Sequence, residues 1–471
     1  MNEFFAILLY FAILLYFAKT KQRFLTQKDF VIGNRSLNRW TTAFAAHASD
    51  MSNWLFMAYP GAIFVSGGGH IWAAIGLTVM MWANWAFIAP KIRVNTEKMG
   101  SVTLSGFFEK RLGQNWPIGR LITSLTLFLF YTVYVAAALC GIGVLFKTLF
   151  PISYSLGVVI GILFILPFVL MGGYLTLARV DLFQGFFLLG VILFVPLYIV
   201  FDFGGIRAIV DSVHAHGKNF ALFSSENPGA IWHHLLLMFG WGLGYFGQPH
   251  ILTKFMGIRI PEQIAASKNI GMSWQILTLA AATLVGFVGI ATLGTLEVPE
   301  QVFIVLVKQY FSPFLAGIFL CAILAAILNA VSSMLLVLST TVTEDLYKRF
   351  INPNLSDRSQ LLITRLACVV SALIAMAIAL PNFTTIDNLV KYAWSGLGAT
   401  FGPLVIATLY FRHIKPSSSW LGMAIGGGIV ALSPFLGIAD YSLVIAFPAA
   451  LTAIYLTSKP SPFRLRREEE L

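Results

Sequence analysis

Long apolar stretches recur along the chain, and most polar residues lie in the short segments between them. A helix of about 20 apolar residues crosses the hydrocarbon core of a bilayer, which is roughly 30 Å thick. Thirteen stretches come close to this length: 4–18, 40–65, 71–90, 118–147, 153–177, 182–201, 230–256, 271–295, 313–343, 361–381, 386–411, 420–437 and 441–458. The pattern predicts an all-α polytopic membrane protein with thirteen transmembrane helices.

The basic residues predict how these helices are oriented. The first stretch follows "MNEFF", with no basic segment before it and no small-residue cleavage site after it, so we expect a retained helix whose N-terminus lies outside. Thirteen spans then place 26 of the 31 Lys and Arg residues, and the C-terminus, on the cytoplasmic side. The five others are Lys147, Arg207, Lys218, Lys308 and Lys391. The net charge of +11 therefore indicates topology in an inner (plasma) membrane and not nucleic-acid binding.

Sequence motifs for soluble catalysis are absent. The chain, 58% hydrophobic and 11% charged, has no GxxxxGK[ST], HExxH or GxSxG motif and no loop of domain size. Its three cysteines lie inside predicted spans, without the spacing of a zinc site or disulfide framework: Cys140, Cys321 and Cys368. We expect a protein that moves a solute across the bilayer or senses one, and not an enzyme.

Three features inside the apolar stretches indicate a binding site. Asp50 is the acid that lies deepest in such a stretch, with His47 on the same helical face. A charge at this depth is costly and normally faces a partner or a watery cavity, although Asp50 could also only tie its helix to neighbouring backbone. Pro60-Gly61 and "WGLGYFGQPH", 241–250, interrupt the second and seventh spans. Two broken helices five spans apart predict an inverted repeat with a site near the membrane midplane.

Four segments carry a resemblance to a known family: "ASDMSNWLFMAYPGAIF", "GGYLTLARVDLFQG", "WGLGYFGQPHILTKFMGI" and "AILAAILNAVSSMLLVLSTTVTEDLYKR". They resemble the sodium:solute symporter family, most closely its bacterial sodium/proline branch. The resemblance implies a LeuT-like core of five plus five helices in inverted repeats, with one helix before it and two after it. The implied units are 1–39 for the N-terminal helix and loop, 40–202 and 203–411 for the repeats, and 412–471 for the last helices and the cytoplasmic tail.

The resemblance also implies cation-binding residues. The carbonyl groups of Ala48 and Met51 would bind sodium, and Asp50 would organise the site and gate it. Two adjacent hydroxyl residues typical of the family are replaced here by Asn329-Ala330, and His47 stands where the proline branch usually has a small residue. These departures leave sodium and proton coupling both open. Asn329, Ser332, Ser333 and Asp181 resemble a second cation position, although small-residue helix packing also explains the two serines.

For the substrate, the resemblance implies a pocket of rings around the second broken helix. Its residues would be Trp241, Tyr245, Gln248 and Pro249, with Trp54 and Tyr134 as further candidates. We therefore expect a symporter that imports a small amino acid such as proline by alternating access, with Na+ or H+ as coupling ion, no other cofactor and no protein partner. The alternatives are a proton-coupled or sodium-independent transporter of the same fold and a sensor that binds solute without transporting it; an ion channel lacks the repeated pore elements it would need.

Overall fold

The computed structural model describes residues 2–18, 27–113, 117–171, 173–222 and 230–458. Within these ranges the chain is helical, with one isolated backbone bridge between Leu37 and Ile258. Lys19, Lys21 and Arg23, which are predicted to be cytoplasmic, and the predicted cytoplasmic tail at 459–471 lie outside the described residues.

Ten helices make up the first part of the chain. They are α1 (Asn2–Ala18), α2 (Gln27–Ile32), α3 (Arg39–Met51), α4 (Ala58–Ser66), α5 (Ile71–Ala83), α6 (Ala89–Lys98), α7 (Leu104–Leu112), α8 (Pro117–Leu149), α9 (Tyr154–Met171) and α10 (Tyr174–Asp202). A wider helical turn, Asn84–Ile88, joins α5 to α6.

Ten more helices follow. They are α11 (Ile206–Ala215), α12 (Ala230–Gly242), α13 (Pro249–Met256), α14 (Ile264–Leu293), α15 (Val302–Tyr310), α16 (Pro313–Thr340), α17 (Asp357–Ala379), α18 (Ile386–Tyr410), α19 (Pro416–Leu436) and α20 (Ser442–Ser458). The wider turns of Thr341–Ile351 continue α16.

Each of the thirteen apolar stretches falls on one helix or on two successive helices. Among the described residues, eight helical segments are individually long and apolar enough to cross a membrane, so the all-α membrane fold is confirmed while the number of spans stays a prediction. Large apolar side chains project outward, with Phe201 84% and Phe435 88% exposed. Such surface suits contact with lipid rather than water.

The first helix break lies earlier than the sequence predicted. Helix α3 ends at Met51, Ser52 has a positive φ of 45°, and a short turn at Asn53–Leu55 precedes α4. The prediction of a break at Pro60-Gly61 is wrong, because both residues lie inside the first turns of α4. A proline there removes no hydrogen bond, since the first N–H groups of a helix have no intrahelical partner.

The boundary predicted between the spans 153–177 and 182–201 also lies elsewhere in the structure. The loop expected between 177 and 182 is helical, because α9 ends at Met171 and α10 begins at Tyr174. Arg179 and Asp181 therefore belong to α10. Polar residues near the end of a membrane helix can remain helical when they reach solvent or a partner, and Arg179 is exposed.

The second helix break occurs where the sequence predicted it. Helix α12 ends at Gly242, Leu243–Gly247 form a tighter turn, Gln248 is extended, and Pro249 begins α13. The backbone of this turn lies against α18. A Cβ atom at Gly247 would stand 2.6 Å from the amide nitrogen of Gly402, so glycine allows this approach.

Both breaks lie inside the helix bundle. Helix α16 packs against α1, α3, α8 and α10, and it also contacts the turn at Asn53–Leu55. Helix α18 packs against α8, α19 and the turn at Leu243–Gly247. Helix α16 therefore packs at the first break and α18 at the second.

Candidate functional site

An aromatic cavity lies where the two breaks meet. Tyr134 of α8 contributes to it as predicted, and two helices that the sequence did not implicate, α5 and α18, contribute as well. The residues that line it are Asp50, Met51, Trp54, Leu77, Tyr134, Trp241, Tyr245, Val390 and Trp394. Four of the six predicted substrate residues thus come together, and Asp50 joins them.

Rings form the walls of this aromatic cavity. The Trp54 ring lies 4.9 Å from that of Trp241, and Tyr245 meets Trp394 edge to face at 5.1 Å. The indole N–H of Trp394 donates to the carbonyl oxygen of Trp241 at 2.8 Å. Sequence reasoning missed Trp394, Leu77 and Val390, because they lie on unbroken helices and only the tertiary packing brings them to the cavity.

Asp50 connects the two broken helices. The hydroxyl group of Tyr245 donates to Asp50 Oδ2 at 2.5 Å, and Gln275 Nε2 donates to the same hydroxyl at 3.4 Å. Asp50 Oδ1 has no hydrogen-bond partner among the described residues. The carboxyl group therefore keeps one free oxygen beside the unwound turn.

His47 is packed as a neutral ring. Trp85 Nε1 donates to His47 Nε2 at 2.9 Å, and the two rings stack nearly parallel with centroids 6.0 Å apart. An indole can only donate, so His47 Nε2 carries no proton in this arrangement. The side chain is fully buried, and a Cβ atom at Gly271 would overlap its ring. This geometry suits a packing role better than proton exchange with water.

Oxygen atoms on α16 form the second half of the candidate cation site. Asn329, Ser332 and Ser333 are buried, and their side-chain N and O atoms have no hydrogen-bond partner among the described residues. Buried polar groups without partners are uncommon and require an explanation. Ala330 adds no polar atom.

The first half of the candidate cation site is the end of α3. Ala48 and Met51 lie in its last turn, where carbonyl groups lack an intrahelical partner. Helix α3 packs directly against α16. Carbonyl, amide and hydroxyl oxygens are suitable ligands for a hard monovalent cation, so these two elements can hold sodium between them.

Two predicted substrate residues lie elsewhere. Gln248 Nε2 donates to the carbonyl oxygens of Gly244 and Trp394, both at 3.2 Å, and so fixes the second break. Pro249 lines a second cavity, between α13 and α16, together with Lys254 and Ser333. Neither residue lines the aromatic cavity.

Asp181 has a cationic partner that sequence reasoning missed. Its Oδ2 atom lies 3.0 Å from Lys254 Nζ, and both side chains are buried. The sequence did not indicate that Lys254, which closely follows the second break, has this role, because its position is typical of a basic residue at a cytoplasmic helix end.

Hydrogen bonds close the bundle at what we call the basic end, which holds Arg35, Arg93 and Arg259. Arg35 donates to the carbonyl oxygens of Met256, at 2.6 Å, and Ser101, at 2.9 Å. Arg93 Nε donates to the Ile258 carbonyl oxygen at 2.6 Å. These bonds tie the segment before α3 and the end of α6 to the segment after α13.

The opposite end, which we call the acidic end, holds Glu300, Asp387 and Asp440. Glu300 accepts backbone hydrogen bonds from Asp387 at 3.1 Å and Ile386 at 3.4 Å, at the start of α18. Trp54 Nε1 donates to Asp387 Oδ1 at 3.3 Å, which links this end to the aromatic cavity. Burial raises the pKa of Glu300, and the two backbone bonds oppose the shift.

Residues 30–426 match the model of the "Sodium:solute symporter family". The chain belongs to the sodium:solute symporter family. Membership makes it a multi-pass membrane symporter and not an enzyme, with Na+ as the coupling ion and a small molecule as its substrate.

Relatives within the sodium:solute symporter family match most of the chain. It is 36% identical over 438 residues to the "High-affinity proline transporter PutP" of Bacillus subtilis (strain 168), covering 91% of this chain and 92% of that protein. It is 35% identical over 430 residues to the "Sodium/proline symporter" of Escherichia coli (strain K12), covering 89% and 85%.

Solved structures support the LeuT-like fold of this symporter. A substrate-bound, outward-open Na+-coupled sialic acid symporter superposes with a TM-score of 0.81 at 17% identity, covering 97% of each chain. MhsT in complex with L-phenylalanine superposes with a TM-score of 0.57 at 14% identity, covering 90% of this chain and 99% of that one. At these identities the likeness concerns the fold alone.

Proposed function

We propose that this symporter imports proline together with sodium. The relatives of highest identity reported above are named for proline transport, and the aromatic cavity offers flat apolar walls suited to a small ring. Helix ends freed at the two breaks can receive the carboxylate and the amine of an amino acid. The observation that carries the proposal is the meeting of Trp54, Trp241 and Tyr245 at the junction of both breaks.

Sodium would bind between the end of α3 and α16. Its ligands would be the carbonyl groups of Ala48 and Met51 and the side chain of Asn329. The unpartnered oxygen atoms on α16 support this assignment, since a cation would satisfy them. Asp50 would organise the site through Tyr245 and take part in gating.

The transport cycle would be ordered. Sodium binds first and favours the state open at the acidic end, substrate then closes that end, and both are released at the basic end. Sodium can shift this equilibrium only through a higher affinity for one of the two states. The basic end would face the cytoplasm, with the N-terminus outside and the C-terminus inside the cell membrane, as the positive-inside rule indicates.

Residues 40–202 and 203–411 would act as the two inverted repeats, with 1–39 and 412–471 outside this core. Each proposed repeat contains one helix break near its start, between α3 and α4 and between α12 and α13. This matched placement supports the division.

The test is uptake of labelled proline into proteoliposomes. An inward sodium gradient at fixed pH should drive accumulation, and an inward proton gradient without sodium should not. Accumulation driven by protons alone would favour the second candidate, proton coupling, against which the bond from Trp85 to His47 Nε2 counts. Binding of proline without uptake under either gradient would favour a sensor.

A further inference from the structure

The Lys254–Asp181 ion pair is buried inside the bundle. Lys254 Nζ lies 3.0 Å from Asp181 Oδ2, and the two side chains are 3% and 2% exposed. The ammonium group also lies 5.1 Å from the centre of the Tyr174 ring. The pair joins α13, which follows the second break, to α10.

Lys254 and Asp181 neutralise each other's charge. A buried carboxylate without a cation is strongly unfavourable, and removing one partner of a buried pair leaves such a charge. With Lys254 in place, Asp181 already has its cation. A sodium ion beside the carboxylate would also lie close to the ammonium group, and like charges at that distance repel.

The pair lies next to a cavity in which another cation could otherwise bind. Lys254 lines the cavity between α13 and α16, and so does Ser333, whose hydroxyl oxygen has no partner among the described residues. A carboxylate together with unpartnered hydroxyl oxygens is a suitable ligand set for a cation. Lys254 supplies a positive charge at the carboxylate.

The candidate site at the end of α3 differs in this respect. None of its ligands Ala48, Met51 and Asn329 carries a positive charge, and Asn329 keeps both amide atoms unpartnered among the described residues. This site stays available to sodium while the one at Asp181 is neutralised.

We propose that Lys254 is a built-in counter-cation of Asp181, and that this symporter therefore carries one sodium ion for each substrate molecule. The inference rests on sodium-coupled proline transport as proposed above. Lys254 is a positioning residue here: it sets the ion stoichiometry by holding Asp181 and does not touch the substrate.

The experiment compares initial fluxes of labelled sodium and labelled proline in the same proteoliposomes. The wild-type protein and Lys254→Arg, which keeps the charge, should both show one sodium per proline. Lys254→Met replaces the lysine by an uncharged, apolar side chain of similar length and leaves the Asp181 carboxylate without its cationic partner. At high sodium it should show a ratio of two and a steeper sodium dependence, and Asp181→Asn in the same chain should restore a ratio of one.

Several results would overturn the inference. A wild-type ratio of two would show that a second ion binds despite Lys254, and an unchanged ratio in Lys254→Met would show that Lys254 does not exclude one. If Lys254→Met fails to reach the membrane, the neutral double variant Asp181→Asn/Lys254→Met tests the inference in its place. It should transport at a ratio of one, and loss of its sodium dependence would contradict the proposal. Absence of sodium-driven proline flux in the wild-type protein would instead reject the proposed function.

Discussion

The contact between Asp50 and Tyr245 is the residue pair that joins the two broken helices. We expect Tyr245→Phe to keep the ring in the aromatic cavity and to remove the hydrogen bond to the carboxyl group. A hydrogen bond to a charged group contributes about 1.5–3 kcal/mol, so the apparent sodium affinity should fall about 10- to 100-fold. The measurement is proline uptake as a function of sodium concentration.

A matched control for that variant is Tyr59→Phe. Tyr59 is also buried and stacks on Trp54, but its hydroxyl group pairs with Thr283 and not with a carboxylate. Its sodium dependence should remain close to that of the wild-type protein. Equal losses in both variants would mean that any buried hydroxyl matters, and the role assigned to Asp50 would then lose its support.

Asn329 gives a second prediction at this scale. Sodium that binds the folded protein should raise its unfolding temperature. In Asn329→Ala this sodium-induced increase should disappear, because an amide ligand is lost, while stability without sodium should change little, because the removed atoms have no partner among the described residues. Thermal unfolding in detergent with sodium chloride or choline chloride measures both effects.

Ser339→Ala on the same helix is the control for Asn329. The Ser339 hydroxyl group is buried and donates to the carbonyl oxygen of Leu336, so it is not available to a cation. This variant should keep the sodium-induced increase. Persistence of the increase in Asn329→Ala would remove Asn329 from the proposed ligands.

Some residues of the site could be predicted from the sequence and others could not. Asp50 was found because a carboxylate is costly in an apolar stretch, and Tyr245 because it lies in a glycine-rich interruption. Trp394 sits in an ordinary membrane helix, where an aromatic residue is unremarkable. Lys254 reads as a basic residue near a helix end, and its partner Asp181 lies 73 positions away in the chain. Such pairs depend on tertiary packing that no local pattern encodes.

At the scale of elements, the second break depends on close contact with α18. A Cβ atom at Gly244 would overlap Trp394 Nε1, the group that donates to the Trp241 carbonyl oxygen. We therefore expect Gly244→Ala to displace Trp394 and to abolish proline uptake. Gly240→Ala is the matched control, since its Cβ atom would meet Val444 at 3.8 Å, an ordinary contact. Uptake and unfolding temperature should be measured for both variants, and normal uptake by Gly244→Ala would contradict this account of the break.

The two breaks also show how far an element can be placed from sequence. The second was located correctly because glycines and a proline cluster within ten residues. The first was placed at Pro60-Gly61, whereas the helix actually ends at Met51 and turns at Ser52. A proline in the first turn of a helix is compatible with it, and a serine with positive φ leaves no pattern in the sequence. Polarity and composition thus indicate that a helix is broken more reliably than they indicate the residue at which it breaks.

At the scale of the whole molecule, both ends of the bundle are closed by hydrogen bonds around the aromatic cavity. The basic end is held by arginine side chains that donate to backbone carbonyl oxygens. The acidic end is held by Glu300 at the start of α18 and by the bond from Trp54 to Asp387. Alternating access requires that these two sets of bonds break at different times. Because the acidic end contains the partly buried carboxyl group of Glu300, its closure should depend on pH.

The direction in which pH changes the closure of the acidic end follows from the pKa of Glu300 in the closed and open states. Burial raises its pKa in the closed state, against the opposing effect of two backbone hydrogen bonds. When the acidic end opens, water reaches the carboxyl group and its pKa falls toward the ordinary value. The closed state then binds more protons than the open state, so closure is favoured as the pH falls and is lost as the pH rises through the raised pKa. Other titratable or charged groups face the same region, and the experiment must separate them: His70, Asp387, Lys391 and Asp440.

Labelling of a cysteine in the aromatic cavity measures this closure. Leu77→Cys, in a chain without its three native cysteines, should react with a membrane-impermeant maleimide added from the acidic end, and the reaction should slow as the pH is lowered from about 7 to about 5. The same protein with Glu300→Gln corrects for the thiol's own titration and for the neighbouring charges. Its reaction should slow less over this range, because the glutamine binds no proton in either state. Identical pH profiles would show that Glu300 does not sense closure, and the pH dependence of the acidic end would then have to come from His70, Asp387, Lys391 or Asp440.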